Sequence, residues 1–200
     1  NPIFKEITIK PRETSHVALS EKDLEILENL ELNRVKSYYR DLFLIGVYSG
    51  QRFSDYKRFD KKFIEGNNIV IRAKKTGQFS YIPINNKLKR LLDKYDWLFS
   101  TISSQKFNDH IHEICKIAGF TETVVRDRFY GNKKISEDIP RYKLISSHTA
   151  RRTFITISEQ RGVSHSLIMK VTGIRSLKTL ENYIKIDKVR LSEAILKAWN

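Results

Sequence analysis

Residues 146–156 read SSHTARRTFIT, with His148 and Arg151 three positions apart where a helix pattern begins. Residues so spaced share a helix face, and a helix N-terminus offers unbonded N–H groups and a positive dipole end, so the pair describes a phosphate pocket. Arg152 adds a further cation. In YSGQRFSDY, Arg52 follows the Gly50 that closes an apolar run, and Asp55 is near enough in sequence to orient it. A guanidinium held this way grips two phosphate oxygens at once, which a lysine cannot imitate. Lys75, in the turn KKTGQ, can reach a bound partner and donate a proton, with Lys74 as its rival. Tyr183, in SLKTLENYIKID, has a phenolic oxygen that can attack phosphorus when set among cations, forming a covalent intermediate. Each of these also has an ordinary reading. The arginines can be solvated, Arg52 and Asp55 a structural ion pair, Lys75 a turn residue, and Tyr183 helix packing beside Leu180 and Ile184.

Composition narrows the partner. Among 200 residues, 37 Lys and Arg stand against 23 Asp and Glu, a formal net charge of +14, while 40% of residues are hydrophobic. That is a folded basic protein rather than a disordered tail, and such a balance calls for a polyanion such as DNA or RNA. An acidic membrane surface is disfavoured, because no stretch of about 18 apolar residues and no signal-peptide pattern occurs. The single Cys115 excludes an intrachain disulfide and suits a reducing cytoplasm. His110 and His112 stand near Cys115, but i and i+2 point to different helix faces, so no zinc site is expected there.

The elements that must position these residues can be read from pattern. Residues 1–18, with Pro2 and Pro11, read as an extended lead-in. LSEKDLEILENL starts a helix with Ser20 as N-cap and Asp23 as its reciprocal partner. VKSYYRDLFLIGVYSG is apolar nearly all round and predicts a central buried helix ended by Gly50. Runs at 69–73 and 79–84 predict a hairpin around Lys-Thr-Gly-Gln, and Gly131 and Asn132 a second hairpin within 121–145. Helices are predicted at about 86–94, 104–118, 148–161, 164–172, 176–185 and 188–199. The fold class is mainly α with a small antiparallel β-sheet, in one domain.

The order Arg, Lys in a hairpin turn, His-x-x-Arg, then Tyr near the C-terminus resembles the catalytic domain of the tyrosine recombinases of the phage-integrase type, over nearly the whole chain. The resemblance implies that Arg52 and Arg151 clamp the scissile phosphate and that Tyr183 is the nucleophile, leaving a 3′-phosphotyrosyl link and a free 5′-hydroxyl. It further implies that Lys75 protonates the leaving oxygen, that His148 assists proton transfer or holds a phosphate oxygen, and that Asp55 supports the first arginine. Lys74, Arg152 and Arg175 would contact DNA. No metal and no cofactor are expected, since cations of the protein would stabilise the phosphorane. The implied partners are double-stranded DNA and further copies of the chain in a synaptic tetramer, with a monomer when free, in the bacterial cytoplasm at the nucleoid.

One position departs from the resemblance. Ile174 stands where the family has a His or Trp, and it cannot donate to phosphate; Arg175 beside it is a candidate to compensate. The start without Met suggests a fragment lacking an N-terminal core-binding domain, and so weak or salt-sensitive DNA binding. A final helix over 188–200, with Val189, Leu191, Ile195 and Trp199 as apolar candidates, would dock on its own body or on a neighbour. Two rivals remain: a helix-turn-helix DNA-binding protein without chemistry, built on SHSLIMKVTGIRSLKTLENYIK, and a type IB topoisomerase.

Overall fold

The computed structural model describes residues 17–130, 133–184 and Leu196. Helix α1, Glu21–Asn29, begins as its capping box dictates: the Asp23 N–H donates to Ser20 Oγ at 3.1 Å and the Ser20 N–H to Asp23 Oδ2 at 2.8 Å. Helix α2, Arg34–Ser49, follows, with Leu42, Phe43, Leu44, Ile45 and Val47 all buried. A helix apolar on every side has no solvent face to choose, so it becomes the centre on which the others pack. The short α3, Phe53–Tyr56, which sequence pattern misses, turns the chain at Arg52.

Strands β1 (Ile64–Glu65), β2 (Asn68–Arg72) and β3 (Phe79–Pro83) form an antiparallel sheet in that order, with Ile69 opposite Ile82 and Arg72 opposite Phe79. Ile69, Ile71 and Ile82 alternate inward onto the core, which fixes the register. Helices α4, Asn86–Lys94, and α5, Ser104–Ile117, cover α2 and are capped by Asn85 and Ser103. Leu88, Leu92, Phe107, Ile111 and Ile114 complete the core, each full burial being worth roughly 1.5–3 kcal/mol.

A second hairpin, β4 (Thr123–Tyr130) and β5 (Lys133–Pro140), pairs Val125 with Asp138. It forms its own sheet, so the two hairpins expected from sequence lie in two small antiparallel sheets. Gly131 and Asn132, the two residues between these strands, lie outside the described residues. Helices α6 (Ser147–Gln160), α7 (His165–Thr172) and α8 (Leu177–Glu181) close the described chain. The helix expected over 176–185 is thus corrected to a shorter one. Tyr183 follows it in a turn, its N–H bonded to Leu180 O at 2.8 Å. Residues 1–16 of the lead-in expected over 1–18, and the final helix apart from Leu196, lie outside the described residues.

Candidate active site

Arg151 is the largest fully buried side chain among the described residues, and its surroundings explain how a charge can stand there. Its Nη1 donates to Gly50 O at 3.0 Å and to Thr172 O at 2.8 Å. These are the carbonyls at the ends of α2 and α7, which helix geometry leaves without an internal donor. Gly50 stands at φ +66°, and a Cβ there would lie 2.4 Å from the Phe154 ring, so only glycine lets α2 end against α6. Burial, and next the charge of Arg52, push the Arg151 guanidinium down to about 10, while Tyr183 and Asp55 favour its charged form. Its Nε and Nη2 are buried without a well-formed hydrogen bond among the described residues.

Arg52 caps α3 two residues beyond the carbonyl that Arg151 holds, and its Nη1 is likewise buried without a hydrogen-bond partner among the described residues. Its approach to Asp55 is 4.0 Å, too long for a hydrogen bond. The Arg52–Asp55 ion pair weighed from sequence is therefore weak. The fully buried Asp55 is instead bound through Oδ1, by Arg58 Nη2 at 3.1 Å and by the Lys74 backbone N–H at 2.9 Å. Asp55 thus ties the start of the β2–β3 turn to the segment that carries Arg52. Gln51, immediately before Arg52, carries no signal in the sequence pattern beyond its place beside Gly50. Its buried amide Nε2 donates to Ser49 O at 3.2 Å and to Val171 O at 2.6 Å, joining α2 to α7.

His148, at the second position of α6, faces out, and its Nε2 lies 3.0 Å from Tyr183 Oη. The start of α6 is held by Ser147 N–H donating to Asn108 Oδ1 at 2.8 Å, a tie to α5. Arg152, expected to contact DNA, is buried, with its guanidinium 5.1 Å from the centre of the Tyr183 ring. Burial first lowers its pKa, and Tyr183 opposes that. Tyr183 is accordingly held on one side by a cation over its face and on the other by an imidazole at its oxygen.

Lys75 and Lys74 are both exposed in the turn after β2, and the tie from that turn to the arginines runs through the Lys74 N–H. Ile174 is buried with Ile155, Ile168 and Leu180 in a small cluster against which Tyr183 packs. It takes an apolar place in the packing of the Tyr183 segment. Arg175, expected to compensate toward phosphate, instead donates from Nη2 to Thr76 O in the hairpin. His110 stacks on Tyr39 with ring centres 3.9 Å apart, Cys115 is buried, and no group of three or more His, Cys, Asp or Glu placed to hold a metal occurs among the described residues. Burial pushes the Cys115 thiol up to about 12. No helix among the described residues is long and apolar enough to cross a membrane.

The pattern of the phage integrase family matches residues 18–190, which takes in all five candidate catalytic residues. The chain belongs to the phage integrase family. A curated relative, the tyrosine recombinase XerA of Saccharolobus solfataricus, is 27% identical over 135 residues, 68% of this chain and 40% of its own length. Among solved structures, XerH bound to a palindromic difH substrate in a post-cleavage complex superposes with TM-score 0.66 at 20% identity, covering 94% of this chain and 54% of that one. A lambda integrase (75–356) dimer bound to a COC′ core site superposes with TM-score 0.63 at 18% identity, over 88% of this chain and 64% of that one. The phage integrase fold is thus the fold of this chain, mainly α with small antiparallel sheets. The chain spans 40% of the length of the XerA relative and about half that of XerH.

Within the integrase fold, α7 and α8 read poorly as an independent helix-turn-helix. Helix α8 has 5 residues, and Ile168, Ile174 and Leu180 pack together with Tyr183 against α6 rather than presenting a free recognition helix.

Proposed function

We propose that this chain is the catalytic domain of a site-specific DNA recombinase, breaking and rejoining double-stranded DNA through a 3′-phosphotyrosine. One observation carries the reading. Three guanidinium nitrogens, Arg52 Nη1 and Arg151 Nε and Nη2, are buried without well-formed hydrogen bonds beside a tyrosine whose oxygen lies 3.0 Å from an imidazole nitrogen. Buried donors left unpaired are costly in a folded protein and are suited to an anion that gains charge as it reacts.

In the proposed reaction, Arg52 and Arg151 bind the non-bridging oxygens of the scissile phosphate. Tyr183 Oη attacks phosphorus while its proton passes to His148 Nε2. The bond from phosphorus to the 5′-oxygen breaks, its electron pair stays on that oxygen, and a proton from Lys75 Nζ neutralises it. Asp55 orients the Arg52 segment and, through the Lys74 N–H, the hairpin of Lys75. Strand joining is the same sequence reversed, so no outside energy source is needed. Cations of the chain serve the role that metal ions play in many nucleases, and a duplex partner agrees with the net charge of +14. Assembly of several copies on DNA follows from the need to exchange strands between two duplexes. The final helix over 188–200 would couple activity to that assembly if it docked on a neighbour. Such chemistry belongs where the genome is, in the cytoplasm at the nucleoid.

The test is a suicide duplex, nicked near the cleavage site and bearing a sequence this chain selects from a randomised pool, incubated in EDTA. A protein–DNA band that survives denaturing electrophoresis, and is absent with Tyr183→Phe, is the expected result. Selective binding with no covalent band, or a band that persists in the Phe variant, would overturn the reading.

A further inference from the structure

Lys75 raises a positional difficulty: a general acid must meet the leaving oxygen within hydrogen-bond reach, yet this lysine sits exposed at a hairpin tip. The backbone around it is nonetheless held at several points. Before it, the Lys74 N–H donates to the buried Asp55. After it, the Gly77 carbonyl accepts from Arg72 Nε at 3.0 Å, and the Thr76 carbonyl accepts from Arg175 Nη2. Arg175 alone among these partners comes from the far side of the site. It lies between Ile174, packed in the cluster that Tyr183 joins, and Ser176, the N-cap of α8, the helix that ends just before Tyr183.

Two further contacts place this loop on the hairpin. With its amide oxygen turned toward Arg175, Gln78 accepts from Nε at 3.2 Å and from Nη2 at 3.0 Å. A Cβ on Gly173 would lie 2.7 Å from Ser80 Oγ in β3, so the end of α7 approaches the strand at a distance that leaves no room for a side chain. A guanidinium is suited to such a latch, because its planar fork can engage a carbonyl and an amide oxygen together.

We infer that Arg175 is a positioning residue for the general acid, a latch that ties the Lys75 hairpin to the segment carrying Tyr183 and so keeps acid and nucleophile in register across the phosphate. The inference rests on the proposed recombinase reading. It assigns Arg175 neither to DNA nor to the place Ile174 leaves unfilled. Removing the latch leaves Lys75 chemically intact but samples its productive position less often, so the step that suffers is protonation of the 5′-oxygen as its bond to phosphorus breaks.

A duplex with sulfur in place of that bridging oxygen separates this role from others, since a 5′-thiolate leaves without a proton. On the selected oxygen duplex, Arg175→Ala should cleave about 10- to 100-fold more slowly than the unaltered chain. On the sulfur duplex the deficit should fall below about 3-fold, as it should for Lys75→Ala, the control for the acid itself. Rescue of Lys75→Ala without rescue of Arg175→Ala would overturn the latch and leave the recombinase reading standing. Failure of both rescues would overturn the acid role of Lys75 and the latch with it; no covalent product from the unaltered chain would overturn the recombinase reading. Amide hydrogen exchange on the DNA-free chain judges the latch without activity. Arg175→Ala should speed exchange at the Ala73 and Gly77 amides, which close the hairpin loop through Gln78 O and Ala73 O, and unchanged exchange there would overturn it.

Discussion

At the scale of single residues, Arg151 does two jobs. Its Nη1 closes the ends of α2 and α7, while Nε and Nη2, buried without a well-formed hydrogen bond among the described residues, would bind phosphate in the proposed reaction. Loss of activity in a variant is therefore not by itself proof of catalysis. Arg151→Ala should lose cleavage and also roughly 2–4 kcal/mol of stability, from two orphaned carbonyls and a cavity. Arg151→Met keeps the volume and removes a buried charge, so urea denaturation should return much of that stability while cleavage stays absent. The pH dependence follows from the pKa pushed down to about 10. A base depressed on folding is charged in both states at neutral pH, so its burial penalty is fully present there and is relieved only as pH rises above 10. A bound phosphate offsets the same penalty at neutral pH by restoring favour to the charged form.

Among the elements, those with local signals were legible. Helix α4 spans Asn86–Lys94 where periodicity placed it, and α1 and α2 open at polar N-caps, with Gly50 closing α2. The short α3 and β1 were not, because four or two residues carry too little period to register. Long-range ties between elements left still less trace. Asp23 caps its own helix and is also held by Arg141, whose Nη1 lies 3.1 Å from Asp23 Oδ1, pinning α1 to the turn before α6. Burial raises the Asp23 carboxyl, but bonds from Arg141 and Ser20 outweigh it and leave the pKa below its ordinary 3.8. A depressed carboxyl contributes stability above that ordinary value and loses it as pH falls through the native one. Asp23→Asn should thus cost about 1–2 kcal/mol at pH 7 in chemical denaturation, and the difference should close as the pH falls below 3.8. A gap unchanged in acid would show that packing, not the ion pair, is lost.

For the whole molecule, the net charge of +14 would govern the proposed association with a duplex. Each phosphate neutralised on a duplex adds about 0.9 to the slope of log affinity against log salt. Affinity for a selected duplex should fall by more than tenfold between about 50 and 200 mM salt, measured by anisotropy. A flat dependence would mean that the basic residues face away from DNA.

The residue types and their order, Arg52, Lys75, His148, Arg151 and Tyr183, were set in the sequence, as were the basic balance and the helical frame, because composition, spacing and caps are local properties. Tertiary structure alone decided which side chains meet. Folding buried Arg152 over Tyr183, packed Ile174 in the cluster that Tyr183 joins, and turned Arg175 to the hairpin. These contacts join residues up to 99 positions apart, and no local pattern encodes a donor whose acceptor arrives only when separate elements pack on a common core.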